Sequence, residues 1–219
     1  MHVFRQIEAI IFDMDGVLLD SERLYTEATN EVLREFGKVF DWPLKIELMG
    51  RSPVESARIL LERLEVPLTP AEFLERERPI LERLFRNVSA MQGAPELVSA
   101  LTRRGYKLGI ATSSSRRTFE LKRLNHDWFS MFSVVVCGDH EGVKAFKPAP
   151  DIFLAAASEL GVEPARCLVV EDSLAGVEAA QSAGMRVVAL PDSALDPARY
   201  AAADLVVQSH DQLLFLALP

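Results

Sequence analysis

Ile10-Ile11-Phe12-Asp13-Met14-Asp15-Gly16-Val17 changes character at its midpoint. The apolar run from Ile7 to Phe12, interrupted by Glu8, stops at two aspartates one residue apart, and a glycine then turns the chain. In an α/β sheet, an apolar strand that ends in carboxylates and a turn delivers charge to the crevice at the carboxyl ends of the strands, where ligands bind. Two like charges this close are costly to bury unless a cation or a proton shares the site. The pair therefore predicts a metal and, beyond it, an anionic reactant. A calcium loop needs further oxygen ligands downstream and a closing Glu. Val17-Leu18-Leu19 follows instead, so that reading fails.

From residue 105 onward, apolar β-type runs alternate with helical patterns. Strands are expected over 106–111, 133–137, 167–170, 186–190 and 205–207, with helices over 115–124, 151–160 and 174–183 between them. Gly161 and Gly184 stand where two of the helices should stop. This alternation means βαβ crossovers and a parallel sheet with helices on both faces. The strand before Asp13 is expected near the centre of that sheet.

Residues 17–88 break the alternation and read as helix throughout. Leu24, Ala28, Val32 and Phe36 recur every four residues, a helical stripe. Ser52-Pro53-Val54-Glu55 and Thr69-Pro70-Ala71-Glu72 carry capping-box chemistry with proline at the first helical position. Pro79 should kink or divide the helix that Thr69 opens, because it removes a backbone donor. An all-helical insert of about 70 residues thus follows the first strand, long enough for a small subdomain. Its position beside Asp13 and Asp15 in sequence suggests a lid.

The chain has 219 residues, 49% hydrophobic and 26% charged, with a formal net charge of -8. That balance excludes the basic footprint of a general nucleic-acid binder. No apolar stretch approaches the roughly 18 residues of a membrane span, and Met1 to Gln6 lacks the apolar core of a signal peptide. Cys137 and Cys167 sit in apolar, strand-like runs without metal-ligand spacing, so both read as buried hydrophobes. A cytoplasmic protein, by default a monomer, with no nucleic-acid or membrane partner is expected.

Three further clusters follow strands, as Asp13 and Asp15 do. They are Thr112-Ser113-Ser114-Ser115, Lys147-Pro148-Ala149-Pro150-Asp151 and Glu171-Asp172-Ser173. Taken singly, the serines read as a helix N-cap, the lysine as a solvated loop charge and the acids as another cap. In a parallel sheet all four clusters arrive at one edge. Carboxylates, hydroxyls, backbone N–H groups and one lysine there make a metal-dependent phosphate site.

Asp-Met-Asp-Gly-Val, Ala-Thr-Ser-Ser, Lys-Pro-Ala-Pro-Asp-Ile-Phe and Glu-Asp-Ser, in that order, resemble the haloacid dehalogenase superfamily. The likeness is to the helical-cap branch that holds β-phosphoglucomutase, phosphoglycolate phosphatase and pseudouridine-5′-phosphatase. It implies a Rossmann-like catalytic core of residues 1–16 and 89–219 with an inserted all-helical cap, residues 17–88. It further implies a phosphatase acting on a small phosphomonoester, a sugar phosphate or nucleoside monophosphate, through an aspartyl-phosphate. Asp13 would be the nucleophile and Asp15 the general acid and base. Mg2+ would be held by Asp13, the Asp15 carbonyl, Asp172 and, directly or through water, Glu171. The Thr112 hydroxyl, the Ser113 N–H and Lys147 would hold the phosphate. Ser21, Tyr25, Arg51, Ser114 and Arg116 are candidates for substrate specificity.

Carbon–halogen cleavage needs no proton for its leaving group, and the dehalogenase branch lacks the second acid, so Asp15 argues for phosphoryl transfer. A phosphonate hydrolase would need a Schiff-base lysine in its cap. Lys38 and Lys45 stand outside that motif context. A mutase of the β-phosphoglucomutase type carries a cap arginine for the distal phosphate, and Pro53 falls where that arginine would be. Hydrolysis is the favoured expectation, with the mutase as the alternative and a non-catalytic binding module behind both.

Overall fold

A computed structural model describes residues 6–48 and 53–216. Along the chain the elements run β1 (Ala9–Phe12), α1 (Glu22–Leu33), α2 (Trp42–Leu48), α3 (Pro53–Leu64), α4 (Pro70–Phe85) and α5 (Ala94–Arg103). They continue with β2 (Lys107–Thr112), α6 (Arg116–Lys122), β3 (Val134–Cys137), α7 (Asp151–Leu160), β4 (Cys167–Glu171), α8 (Leu174–Ser182), β5 (Arg186–Ala189), β6 (Leu205–Val206) and α9 (His210–Leu216). They fall into two units, one of Met1–Asp20 with Ser89–Pro219 and one of Ser21–Val88.

The first unit is a six-stranded, wholly parallel sheet in the order β3-β2-β1-β4-β5-β6. That is the Rossmann-like order, whose direction reverses between β1 and β4 and opens a crevice at their carboxyl ends. β1 is central because both its faces are apolar. Ala9 and Ile11 pack with Ile152, Phe153, Ala156, Val177 and Ala180. Ile10 and Phe12 alternate to the other face, where the Phe12 ring meets Phe132 edge-on at 5.9 Å. All four are fully buried. Each large side chain so buried contributes about 1.5–3 kcal/mol, which anchors a strand whose next residue is a buried carboxylate.

Residues 17–20 belong to this unit rather than to the helical insert. Leu19 bridges to Ala90, the Met91 N–H donates to the Leu18 carbonyl, and the Asp20 N–H donates to the Ser89 carbonyl. Cys137 and Cys167 are free and buried. Among the described residues, no helix is long and apolar enough to cross a membrane.

The second unit is helical. Val32, Leu33, Leu44, Ala57, Leu60, Leu61 and Phe73 form its core. Thr69 opens α4 through a complete capping box with Glu72. Of the two outcomes expected at Pro79, a kink or a division, division does not occur: α4 runs unbroken from Pro70 to Phe85. Pro79 lies on the exposed face, where water can satisfy the carbonyl left without a donor, while Phe73 and Phe85 are buried on the other face. Ser52, expected as the cap of α3, lies outside the described residues. Lys45 is occupied within this unit by the Glu22 carboxylate at 3.3 Å and the Thr26 hydroxyl at 3.1 Å.

Candidate active site

Asp13 follows β1 directly, and its N–H donates to the Val170 carbonyl of β4 at 2.9 Å. The first carboxylate is thereby fixed at the point where the strand order reverses. Met14 accepts from the Leu18 and Leu19 N–H groups, which closes a tight turn around Asp15. Gly16 stands at φ +78°, and a Cβ there would come within 2.2 Å of Asp172 Oδ2. Glycine alone lets the two acidic loops approach this closely.

Lys147 reaches Asp13 from the loop before α7. Asp151 Oδ2 accepts the N–H groups of Lys144 at 2.8 Å and Ala145 at 3.0 Å, tying that loop to the first turn of α7. These backbone donors hold the Asp151 carboxyl below the usual range. Lys147 Nζ then sits 2.5 Å from Asp13 Oδ1 and 2.5 Å from Glu171 Oε1, above the Phe153 ring. The second oxygen of Glu171 accepts the Ser173 N–H and hydroxyl at 2.7 and 2.9 Å. Ser173 in turn accepts the Gly176 N–H, capping α8.

Asp13, Glu171 and Asp172 each bring a carboxylate oxygen within 4.8 Å of the others. Burial pushes the Asp13 carboxyl up to about 7; Lys147 pulls against it, while Glu171 and Asp15 add to it. Burial also works against the Lys147 ammonium, but Asp13 and Glu171 outweigh it and raise its pKa above normal. The group is thus short of positive charge. Its donors are all hard oxygens, the set that suits Mg2+, and a divalent cation would relieve the excess.

Thr112 ends β2 fully buried, its Oγ1 accepting the Ser114 N–H at 3.1 Å. Ser113 is exposed. Ser115 is the residue that caps α6, accepting the Thr118 N–H. Ser114, expected to contact substrate, has its hydroxyl 3.1 Å from Asp15 Oδ2. Arg116 is exposed; its guanidinium donates to the Val135 carbonyl at 2.7 Å and its N–H to the Asp139 carboxylate. Ser21, which is buried, and Tyr25, whose ring lies edge-on to Phe85 at 5.3 Å, belong to the helical unit. Arg51 lies outside the described residues.

Two residues of the site, Lys122 and Tyr200, have no forerunner in the strand-end motifs. Lys122, the last residue of α6, has a fully buried side chain whose Nζ lies 2.5 Å from Asp15 Oδ1. Its signal was a lysine three residues after Phe119, on the buried stripe of a short helix. The buried Tyr200 donates its hydroxyl to the Asp172 carbonyl at 2.8 Å, holding the acidic turn from behind.

A sequence profile of haloacid dehalogenase-like hydrolases matches residues 7–184. A protein of Drosophila melanogaster named "Probable pseudouridine-5'-phosphatase" is 43% identical, over 94% of this chain and 91% of its own length. The mitochondrial (DL)-glycerol-3-phosphatase 1 of Arabidopsis thaliana is 41% identical, over 93% of this chain and 70% of its own. The crystal structure of a β-phosphoglucomutase from Clostridium difficile is similar at a TM-score of 0.75 and 27% identity, covering 94% of this chain and 93% of that one.

Proposed function

The chain belongs to the haloacid dehalogenase-like hydrolase family and is therefore an enzyme, and from that premise we propose that it is a Mg2+-dependent phosphatase of small phosphomonoesters. The observation that carries this reading is the chain of contacts from Asp13 through Lys147 to Glu171, with Asp172 beside it and Asp15 one turn away. The names of its relatives support phosphate esters as the substrate class.

Asp13 attacks phosphorus in line and carries the phosphoryl group as an aspartyl-phosphate. Its carboxylate is fixed by Lys147 and by the strand beneath it, so the reacting oxygen is positioned before substrate arrives. Asp15 gives a proton to the departing alkoxide and then takes one from the water that hydrolyses the intermediate. Lys147 faces the negative charge that spreads over the equatorial oxygens. Thr112 uses one lone pair on the Ser114 N–H, which leaves its hydroxyl proton for a phosphate oxygen, with the Ser113 N–H beside it. Asp13, Asp172 and the Asp15 carbonyl would hold Mg2+, with Glu171 as a direct or water-mediated contact. When bound, Mg2+ neutralises charge between Asp13 and the phosphate and orients both.

The helical unit is the proposed cap and carries the specificity candidates Ser21, Tyr25 and Arg51. Pro53, the exposed first residue of α3, offers no cation to a second phosphate, which favours hydrolysis over a mutase. Two free, buried cysteines suit the reducing cytoplasm.

The test is phosphate release from p-nitrophenyl phosphate and from a panel of sugar and nucleoside monophosphates, with and without Mg2+. Turnover by the wild type that exceeds Asp13→Asn only when Mg2+ is present supports the reading. Equal, metal-independent rates for the two proteins would sink it. Interconversion of glucose 1-phosphate and glucose 6-phosphate primed by the 1,6-bisphosphate would replace hydrolysis by the mutase.

A further inference from the structure

A lysine on the buried face of a helix is costly to retain, since an apolar residue of similar volume would fill the space without desolvating a charge. Lys122 is such a residue, with a side chain wholly out of water. Its helix is held at its N-terminus and at its middle. Ser115 caps it, Asp139 takes the Arg116 N–H, and Phe119 packs beside Phe129 with ring centroids 6.0 Å apart. The ammonium is therefore delivered to one fixed point, 2.5 Å from Asp15 Oδ1 and 3.2 Å from the Ser114 hydroxyl. The other oxygen of Asp15 accepts from that hydroxyl at 3.1 Å. Oδ1 is held by a buried cation, and Oδ2 by a neutral, rotatable hydroxyl on a half-buried serine.

We propose that Lys122 is a positioning residue that anchors Asp15 through Oδ1 and leaves Oδ2 as the oxygen that hands a proton to the leaving group. The proposal rests on the phosphatase reading. In the step concerned, an Asp13 oxygen bonds to phosphorus as the ester P–O bond breaks. The ester oxygen keeps that bond's electron pair, takes the proton from Asp15 Oδ2 and departs as an alcohol. Ser114 gives up Oδ2 to the ester oxygen, whereas Lys122 does not move. Without the anchor the carboxylate rotates freely, and proton donation, which is steep in distance and angle, suffers first.

Leaving-group dependence tests this, because kcat/KM reports the step in which the ester bond breaks. An alkyl phosphate, taken as the faster of glycerol 3-phosphate and glucose 6-phosphate, needs the proton; p-nitrophenyl phosphate does not. Lys122→Met should lower kcat/KM on the alkyl ester by about 10²-fold and on the aryl ester by no more than about 10-fold. Adding it to Asp15→Asn should cost no more than about threefold further, since both act on one group. Equal losses on the two esters, or losses that multiply with Asp15→Asn, overturn the proposal. If Lys122→Met does not fold, Lys122→Arg, which keeps the buried charge but displaces its donors, is judged by the same ratio. A wild type that hydrolyses neither ester with Mg2+ overturns the phosphatase reading itself, a different result from a wild type whose losses in the variant are unselective.

Discussion

Lys147 Nζ stands 2.5 Å from Glu171 Oε1, and both side chains are shut away from water, at 9% and 1% exposure. Because the same ammonium also meets Asp13, it is the bridge between the two most buried carboxylates of the site. Lys147→Met leaves both without their cation. Breaking a buried pair by removing one partner costs about 3–5 kcal/mol, and removal of a donor facing the transition state lowers kcat by about 10²–10³. Urea denaturation in the presence of EDTA and phosphate release with Mg2+ measure the two losses. Mg2+ should recover more stability in the variant than in the wild type, because it replaces the missing positive charge.

Asp172 and Glu171 are neighbours in sequence with different surroundings. Both Glu171 oxygens have partners in Lys147 and Ser173, and the half-buried Asp172 lies close against Gly16. Asp172→Asn should weaken Mg2+ binding by about 100-fold and Glu171→Gln by about 10-fold, as for a ligand and its support. Calorimetric titration with Mg2+ decides, and a larger loss for Glu171→Gln would make Glu171 the principal ligand.

With its pKa raised to about 7, Asp13 is half protonated near neutrality in the metal-free protein. Mg2+ needs the carboxylate, so below pH 7 it must displace a proton. The Mg2+ association constant should rise about tenfold per pH unit below 7 and level off above it. Calorimetry at pH 6 in two buffers of different ionisation enthalpy should show up to one proton released, and at pH 9 almost none.

Glu77 of α4 is buried and accepts the Thr29 hydroxyl of α1 at 2.7 Å. Burial raises its pKa, the hydrogen bond from Thr29 opposing. A carboxyl whose folded pKa is raised stabilises fully below its unfolded value, about 4.3, and loses that contribution as pH rises through the folded value. Glu77→Gln keeps an acceptor for Thr29 and cannot ionise. The variant should gain stability over the wild type as pH rises from 4 to 8, read by urea denaturation at each pH. A difference that stays constant with pH would mean that Glu77 is not the source.

Much of the site is legible in sequence because strands of a parallel sheet deposit their last residues at one edge. Asp13, Thr112 and Glu171 need only the strand ends, and Asp13 lies beside Glu171 because β1 pairs with β4. Lys147 is legible from the Lys-Pro-Ala-Pro-Asp spacing, since Asp151 both ties the loop and opens α7. Lys122 and Tyr200 are different. Each acts from an element with no catalytic motif, one at the end of a seven-residue helix and one in a short 3-10 turn. Their partners are 107 and 28 residues away. A lysine in R-R-T-F-E-L-K-R reads as one more surface charge until the helix is docked. Division at Pro79 is absent for a related reason: proline removes a donor, but on an exposed face the freed carbonyl is open to water.

Gly176 separates helix propensity from site geometry. In the interior of an exposed helix, alanine is better than glycine by about 1 kcal/mol, so Gly176→Ala in α8 would ordinarily stabilise. Here an added Cβ would come within 1.8 Å of Glu171 Oε1 and 1.9 Å of its Cδ. That carboxylate is not free to swing, being held by Lys147 on one oxygen and by Ser173 on the other. Overpacking of this kind costs about 1–3 kcal/mol, more than propensity returns. The displaced Glu171 also takes Lys147 with it, and Lys147 takes Asp13. Gly176→Ala should therefore lower the melting temperature and cut kcat at saturating substrate together, although residue 176 touches neither substrate nor metal. A variant with a raised melting temperature and unchanged kcat would show that Glu171 has room to move and that the Glu171–Lys147–Asp13 chain is not rigid.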